Sequence, residues 1–362
     1  MHAVVAGWLL GASPFSGADR RLLAFLREAP LLLRDGERLT VLHHPSLQLP
    51  APPRRGPIEW RPVGIPQAPT WRRAIAEQRR LRPLLRELGA TVYDHGFLPA
   101  PRLGVPLCLT IHDVRDADGE GRRPRWLARP ARLALRISLR RAARVIAVSR
   151  WTAERLRSLA PGCAPHVVGN GVAVPPPGPR LEDLPERGFV LHVGHLEPRK
   201  NLAVLVRALA TLDASRRPEL WLVGKDAGEW PRLRALAARL SVGQHVKHLG
   251  VKSDSALHAL YRAARLVVLP SRYEGFGLPA LEARAHGAPV AVSDCGALPE
   301  VAGDGAVLPA DQPAAWAAAM DAPRDEPADA VARRIAAASA SSWAAAAQQW
   351  LEVLRSVSAS PT

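Results

Sequence analysis

Two carboxylates and two cations, well separated in the chain, hold the chemistry this sequence can offer. Glu274 and Glu282 lie in Leu269–Gly305, LPSRYEGFGLPALEARAHGAPVAVSDCGALPEVAGDG, with seven residues between them. Leu266–Leu269 reads as a buried strand that breaks at Pro270 and turns through Gly275 and Gly277. Pro279 suits the first turn of the helix that follows, and Pro289–Val292 reads as the next strand. A strand, a glycine loop and a helix turn backbone N–H groups and a helix N-terminus toward an anion. A carboxylate in the loop and another one to two turns into the helix can face the same crevice. Both would take neutral hydroxyls, because a carboxylate repels phosphate.

Arg199 and Lys200 supply the opposite charge. They lie between the strand Phe189–Val193, whose loop begins at Gly194, and the helix Leu202–Leu212. That is a cationic position at a second helix start. Two such anion-ready places suit a diphosphate with a hydroxyl-bearing group at each end, a sugar and a ribose. The paired carboxylates of a hydrolase are the competing chemistry, but a hydrolase needs no cationic clamp. No phosphate loop ending in Gly-Lys-Ser/Thr, no His-Glu-x-x-His helix and no metal-spaced Cys/His cluster is present. No Asp-x-Asp pair is placed to hold Mg²⁺ under a nucleotide sugar. Arg199 and Lys200 would then have to neutralise a leaving diphosphate themselves.

The elements that must position these groups form two α/β halves. A chain of 362 residues exceeds one ordinary α/β core, so two domains are expected. Residues 173–188 hold five prolines, and the charge balance changes there. The expected division is an N-terminal domain over 1–174, a linker over 175–188, a second domain over 189–340, and a last helix over 341–358. Residues 1–180 hold 29 Arg/Lys and 13 Asp/Glu, whereas residues 181–362 hold 20 of each, so the whole net charge of +16 falls in the first half. An anionic partner for that half is expected: a phosphorylated acceptor or an acidic membrane surface. Nucleic acid is not, because no aromatic-basic interleaving or binding motif accompanies the charge. Lysine accounts for only four of the 49 basic residues, which points to a GC-rich codon bias and weakens any count of arginines.

Cys108, Cys163 and Cys295 have no metal or redox spacing and suit a reducing compartment. No run of 18 apolar residues occurs, and the opening MHAVVAGWLLGA reads as a first buried strand. In the first half, Ala3–Leu10, Leu39–His43, Thr91–Tyr93, Leu107–Ile111 and Val145–Val148 read as strands, and Trp71–Leu88 reads as a helix interrupted at Pro83. His95 and His112 follow strands, where open α/β sheets bind ligands. Within Arg122–Arg157, Arg125, Arg129, Arg132, Arg136, Arg140 and Arg144 recur every three or four residues. Leu133 and Ile137 are expected on the opposite, buried face. That stripe could dock peripherally on anionic lipid.

The motifs resemble those of the retaining glycosyltransferases of family 4. Glu274-Gly-Phe-Gly-Leu-Pro-Ala-Leu-Glu282 is similar to that family's E-x7-E motif. Gly287-Ala-Pro-Val290, Ser293, Leu298-Pro-Glu-Val-Ala-Gly-Asp304, Glu197-Pro-Arg-Lys-Asn201, Thr110-Ile-His-Asp113, Val148-Ser149 and Asn170-Gly-Val172 extend the likeness from about Thr91 to Trp350. The resemblance implies two Rossmann-like domains facing each other across a cleft (the GT-B architecture), with the last helix crossing back to the first domain. It implies that Gly194, Arg199 and Lys200 meet the donor diphosphate and that Glu282 meets the ribose. Glu274 would meet the sugar, as would the amides around Gly275, Phe276, Gly277 and Leu278, and His112 would lie near the transferred sugar. Acceptor-side contacts are expected from Ser16, Gly17, His95 and Asp113, although Phe15-Ser16-Gly17-Ala18 stands where the family often carries Gly-Gly. The leaving phosphate would assist front-face attack, with no metal and no cofactor beyond the nucleotide-sugar donor. Tyr273-Glu-Gly-Phe-Gly-Leu-Pro279 and Leu298-Pro-Glu300 resemble the mannosyltransferase branch that uses GDP-mannose. UDP- or dTDP-sugar donors and a catalytically silent nucleotide- or glycan-binding protein are the alternatives. The acceptor would be a glycan, a lipid-linked molecule or a secondary metabolite, reached in the cytoplasm or at the inner face of a membrane.

Overall fold

The computed structural model describes residues 1–11, 16–47, 57–119, 128–173, 185, 188–322 and 326–358. The chain divides into two units, Met1–Gly171 with Trp343–Thr362, and Val172–Ser342. The expected loop Gly11–Gly17, the linker and part of the arginine stripe fall largely outside the described residues.

The first unit runs β1 (His2–Ala6), α1 (Gly17–Leu32), β2 (Arg38–His43), β3 (Ile58–Pro62), α2 (Thr70–Glu87), β4 (Val92–His95), β5 (Leu107–Ile111), α3 (Arg115–Asp118), α4 (Ala128–Arg141), β6 (Arg144–Ala147), α5 (Arg150–Leu159) and β7 (His166–Val167). Its strands pair in parallel in the order β3-β2-β1-β4-β5-β6-β7. Continuous apolar strands such as HAVVA and LCLTI are buried on both faces, as a parallel sheet with helices above and below requires. One face packs Leu81, Leu85, Leu135, Leu139 and Leu156 of α2, α4 and α5. The other packs Phe25 and Leu26 of α1.

The second unit runs β8 (Phe189–Val193), a 3-10 turn (Pro198–Lys200), α6 (Ala203–Thr211), β9 (Glu219–Val223), α7 (Trp230–Arg239), β10 (Val246–Gly250), α8 (Asp254–Ala263), β11 (Leu266–Leu269), α9 (Leu278–Ala285), β12 (Val290–Ser293), α10 (Leu298–Ala302), β13 (Ala306–Leu308), α11 (Pro313–Asp321) and α12 (Ala328–Ser339). Its parallel sheet has the order β10-β9-β8-β11-β12-β13. Both sheets reverse their winding once, between β1 and β4 and between β8 and β11. Those reversals are where open α/β sheets form ligand crevices.

The last helix, α13 (Trp343–Ser358), packs on the first unit against α1. Trp343 and Trp350, two turns apart, both meet Phe25, with ring centroids 6.1 and 5.4 Å away. Trp350 Nε1 donates to Asp94 Oδ2 at 3.1 Å, and Arg355 forks onto Glu37 at 3.0 and 2.6 Å. These polar bonds fix the register of a helix that apolar packing alone would let slide.

Three local expectations are corrected. α2 runs unbroken through Pro83. Both Pro83 and Arg79, whose carbonyl loses its partner, face solvent, so water can satisfy what the proline removes. Leu133 and Ile137 do not face inward: they are 60% and 38% exposed, and Leu135 and Leu139 take the buried face instead. The expected six-arginine stripe is also broken up. Arg132 turns in to donate to the Ala117 carbonyl at 3.2 Å, Arg144 sits on the strand β6, and Arg125 lies outside the described residues.

Candidate functional site

The reversal point of the second unit collects most of the residues expected to bind the donor. β8 ends at Val193, Gly194 follows it, and the next 3-10 turn carries Arg199 and Lys200 on its own tight spiral rather than on α6. Asn201 closes that turn at φ 54°, a left-handed conformation that asparagine tolerates, and its amide donates to the Ala310 carbonyl at 2.8 Å. β11 ends beside β8, so the loop after it brings Glu274 to the same place.

The three charged side chains meet. Lys200 Nζ binds Glu274 Oε1, and Arg199 Nη1 lies 3.1 Å from Glu274 Oε2. Arg199 also reaches Glu197 at 2.6 Å and the Tyr273 carbonyl at 2.9 Å. Ser271 Oγ donates to Glu274 at 2.9 Å. Burial alone would raise the Glu274 pKa, but the Lys200 and Arg199 charges outweigh it and hold the carboxyl down to about 2. Burial, opposed by Glu274, lowers the Lys200 pKa. Glu274 therefore touches the two cations directly.

Glycine fixes the rest of the loop. Gly277 caps α9 at φ 101°, and a Cβ there would stand 2.7 Å from Leu298. The turn thus presents the backbone from Gly275 to Leu278 at the start of α9. The side chain of Leu278 is buried, and that of Phe276 is partly buried against Leu281 and its neighbours. Glu282 lies farther along α9, where Tyr261 Oη donates to it at 2.8 Å. His192 was not expected here. It is buried on β8, its Nδ1 is 3.0 Å from the Val268 carbonyl, and its Nε2 has no partner. Burial and the neighbouring Lys200 hold it neutral, with a pKa of about 4. A single polar residue in the strand FVLHV is the signal that could have flagged it.

The first unit's reversal point holds a cavity of about 50 Å³ lined by Gly7, Arg21, Asp94, Thr110, His112 and Trp350, among others. Arg21 is buried. Its Nη1 donates to the Gly169 carbonyl and Asn170 Oδ1 at 2.6 and 2.7 Å, its guanidinium stacks 4.3 Å over Phe25, and its Nη2 is unpartnered. Burial and the Arg21 charge push the His112 pKa down to about 3. Burial, only partly offset by the Trp350 N–H and Arg21, pushes Asp94 up to about 6. Sequence reasoning missed Arg21, although an arginine one turn before Phe25 on an apolar helix face was the available sign.

The remaining expected acceptor-side residues take structural places. His95 is fully buried among Trp8, Tyr93 and Phe97, so it belongs to the core and is corrected as a ligand contact. Asp113 accepts from the Arg115 amide at 3.1 Å and shapes the start of α3. Ser16 caps α1 in a reciprocal pair with Asp19, and Gly17 is the first residue of that helix. Neither Ser16 nor Gly17 lines the cavity. Among the described residues no cluster of three or more His, Cys, Asp or Glu could hold a metal ion.

Comparison with known proteins assigns both units. Residues 16–174 match the model described as Glycosyltransferase Family 4, and residues 181–339 match Glycosyl transferases group 1. O-antigen chain mannosyltransferase B of Escherichia coli is 35% identical over 176 residues, covering 48% of this chain and 46% of the relative. D-inositol 3-phosphate glycosyltransferase of Salinispora tropica is 41% identical over 151 residues, covering 38% and 31%. The matched part therefore spans less than half the length of either relative. Sucrose-phosphate synthase from Thermosynechococcus elongatus shares the fold over 98% of both chains, with a TM-score of 0.78 at 18% identity. The two halves of the chain thus carry the two Rossmann-like domains of a GT-B glycosyltransferase, a family 4 domain followed by a group 1 domain.

Proposed function

We propose that the protein transfers a hexose, mannose from GDP-mannose, from a nucleoside-diphosphate sugar to an acceptor, with retention of the anomeric configuration. The observation that carries this reading is the Arg199–Lys200–Glu274 cluster at the second unit's reversal point, beside the start of α9. Two cations held at one place, Lys200 buried and Arg199 24% exposed, can turn from Glu274 to the diphosphate charge that grows as the sugar departs. The amides of Gly275–Leu278 add further donors. Glu282, steadied by Tyr261, is suited to the ribose hydroxyls, and Glu274 to a sugar hydroxyl once phosphate engages its two cationic partners. Because Arg199 and Lys200 supply the compensating charge, the reaction is proposed to need no metal.

The mannose assignment draws support from the matched E. coli mannosyltransferase and from Tyr273–Pro279. An acceptor bearing phosphate or a related anion is supported by the relative named for inositol 3-phosphate and by the lone buried Arg21 in the first unit's cavity. A cytoplasmic site of action is part of the same proposal.

The test is a panel of GDP-, UDP- and dTDP-sugars with the purified chain, read as melting temperature and as slow donor hydrolysis. GDP-mannose is expected to raise the melting temperature and to be hydrolysed. A response to a UDP- or dTDP-sugar alone would replace the mannose assignment. No response to any donor would overturn the transferase reading.

A further inference from the structure

The outward faces of α2 and α4 carry four large apolar side chains that the core does not use. Trp71 and Ile75, one turn apart on α2, are 60% and 47% exposed; Leu133 and Ile137 are one turn apart on α4. Each helix already buries a separate inner stripe, Leu81 and Leu85 or Leu135 and Leu139, in the same core cluster. The exposed four therefore form a second stripe on each helix, and both helices lie on one side of the first sheet.

The chain between Pro99 and Arg102 ties the two helices together. Ala100 donates its N–H to Ser138 Oγ at 2.9 Å and accepts from Arg141 Nη1 at 2.7 Å. Gln78 exchanges hydrogen bonds of 2.9 Å with the Arg102 backbone. A groove of about 450 Å³ runs between the helices, with Ile75 and Arg79 on one wall and Arg141 on the other.

On the two helices themselves the solvent-facing charge is mainly positive. α4 contains no acid in its 14 residues. Both acids of α2 are engaged: Glu77 is buried beside Arg73, and Glu87 is paired with Arg61 at 2.6 Å. Arg79, Arg82, Arg129, Arg136 and Arg140 all face solvent. Scattered apolar residues on a surface need no explanation. Two i,i+4 apolar pairs on adjoining helices, set among arginines, call for a partner that offers both negative charge and an apolar phase.

We infer that this face of the first unit docks on an anionic phospholipid bilayer. The Trp71 ring, Ile75, Leu133 and Ile137 enter the boundary between headgroups and acyl chains, and the surrounding arginines meet lipid phosphates. A nucleic acid would satisfy the arginines and leave the four apolar side chains in water. An acidic protein surface would do the same unless it also carried a matching apolar patch. None of the described helices is long and apolar enough to cross a membrane, so the contact is peripheral. The inference differs from the arginine stripe expected from sequence, because it uses two helices and makes Leu133 and Ile137 the inserted residues. It does not depend on the identity of the sugar donor.

The experiment is flotation of the full chain with phosphatidylcholine vesicles, with and without phosphatidylglycerol. Binding is expected only with phosphatidylglycerol and should fall at least ~10-fold on moving from low to moderately high salt. The double variant Ile75→Glu, Leu133→Glu should lose at least ~10-fold in vesicle partition while keeping its melting temperature, because both side chains are already solvent-exposed. Three results would overturn the inference: equal binding to neutral vesicles, undiminished binding by the double variant, or binding to poly(U) RNA with none to vesicles.

Discussion

The two reversal points hold carboxylates whose pKa values shift in opposite directions. In the second unit, Glu274 is buried against Lys200 and Arg199, and its pKa falls to about 2. In the first, Asp94 is buried with one distant cation and one indole N–H, and its pKa rises to about 6. Glu77, fully buried beside His95 with Arg73 at 3.2 Å, rises further, to about 7, because burial outweighs Arg73 and the Trp8 N–H. Burial is common to all three carboxylates. What separates Glu274 from the other two is direct contact with two cations, because desolvation penalises the charged form unless opposite charge or hydrogen bonds replace the lost water. The second unit is therefore built to keep ions as ions, which suits binding a diphosphate. The first raises its buried carboxylates toward neutral pH and keeps His112 uncharged.

The sharpest way to break this contrast is Lys200→Ala. Removing one of the two cations should make Glu274 behave like Asp94. Turnover of the preferred donor should fall at least ~10²-fold, and the Glu274 pKa followed by carboxyl NMR should rise. Near-normal turnover would take Lys200 out of the reaction.

A second change addresses the opposite pole. The folded-state pKa of Glu77 lies above its ordinary value, so its contribution to stability is full at low pH and is lost as pH rises from about 4.5 to about 7. Glu77→Gln has no proton to lose. Whatever its absolute stability, the variant should gain on the parent by about 3 kcal/mol between pH 5 and pH 8, read from denaturant melts at both pH values. A parallel pH dependence in the two proteins would show that Glu77 is ionised throughout.

A smaller effect lies outside both reversal points. Glu37 behaves as Glu274 does: the Arg355 fork holds its pKa to about 2. That stabilisation is present above about pH 4.5 and lost as pH falls toward 2. Arg355→Ala should cost about 2 kcal/mol at neutral pH and flatten the acid side of the stability profile. An unchanged acid midpoint would detach α13 from this pair.

Much of the second unit's site was legible because it is local. Gly275, Gly277 and Pro279 constrain a loop and a helix start through their own backbone geometry, whatever packs around them. The same holds for the alternation of apolar runs and glycine breaks that marks both sheets. Where side-chain direction was at issue, the sequence was ambiguous. Leu133, Leu135, Ile137 and Leu139 alternate, so two apolar stripes point to different sides of α4, and only contact with the sheet selects one. Asp94 and His95 are neighbours on one strand and point to opposite faces. Asp94 meets Trp350 of α13, whereas His95 enters the aromatic core behind α2.

The sequence by itself determined the two α/β halves, the basic first half, and the glycine-shaped loop that holds Glu274, because composition, period and backbone strain are properties of short stretches. Tertiary structure alone decided that Glu274 lies on Lys200 and Arg199 and that Arg21 stands in a cavity with His112. Those partners are far apart along the chain, and the free energy of ionising a buried group depends on which charges the fold brings within a few ångströms of it.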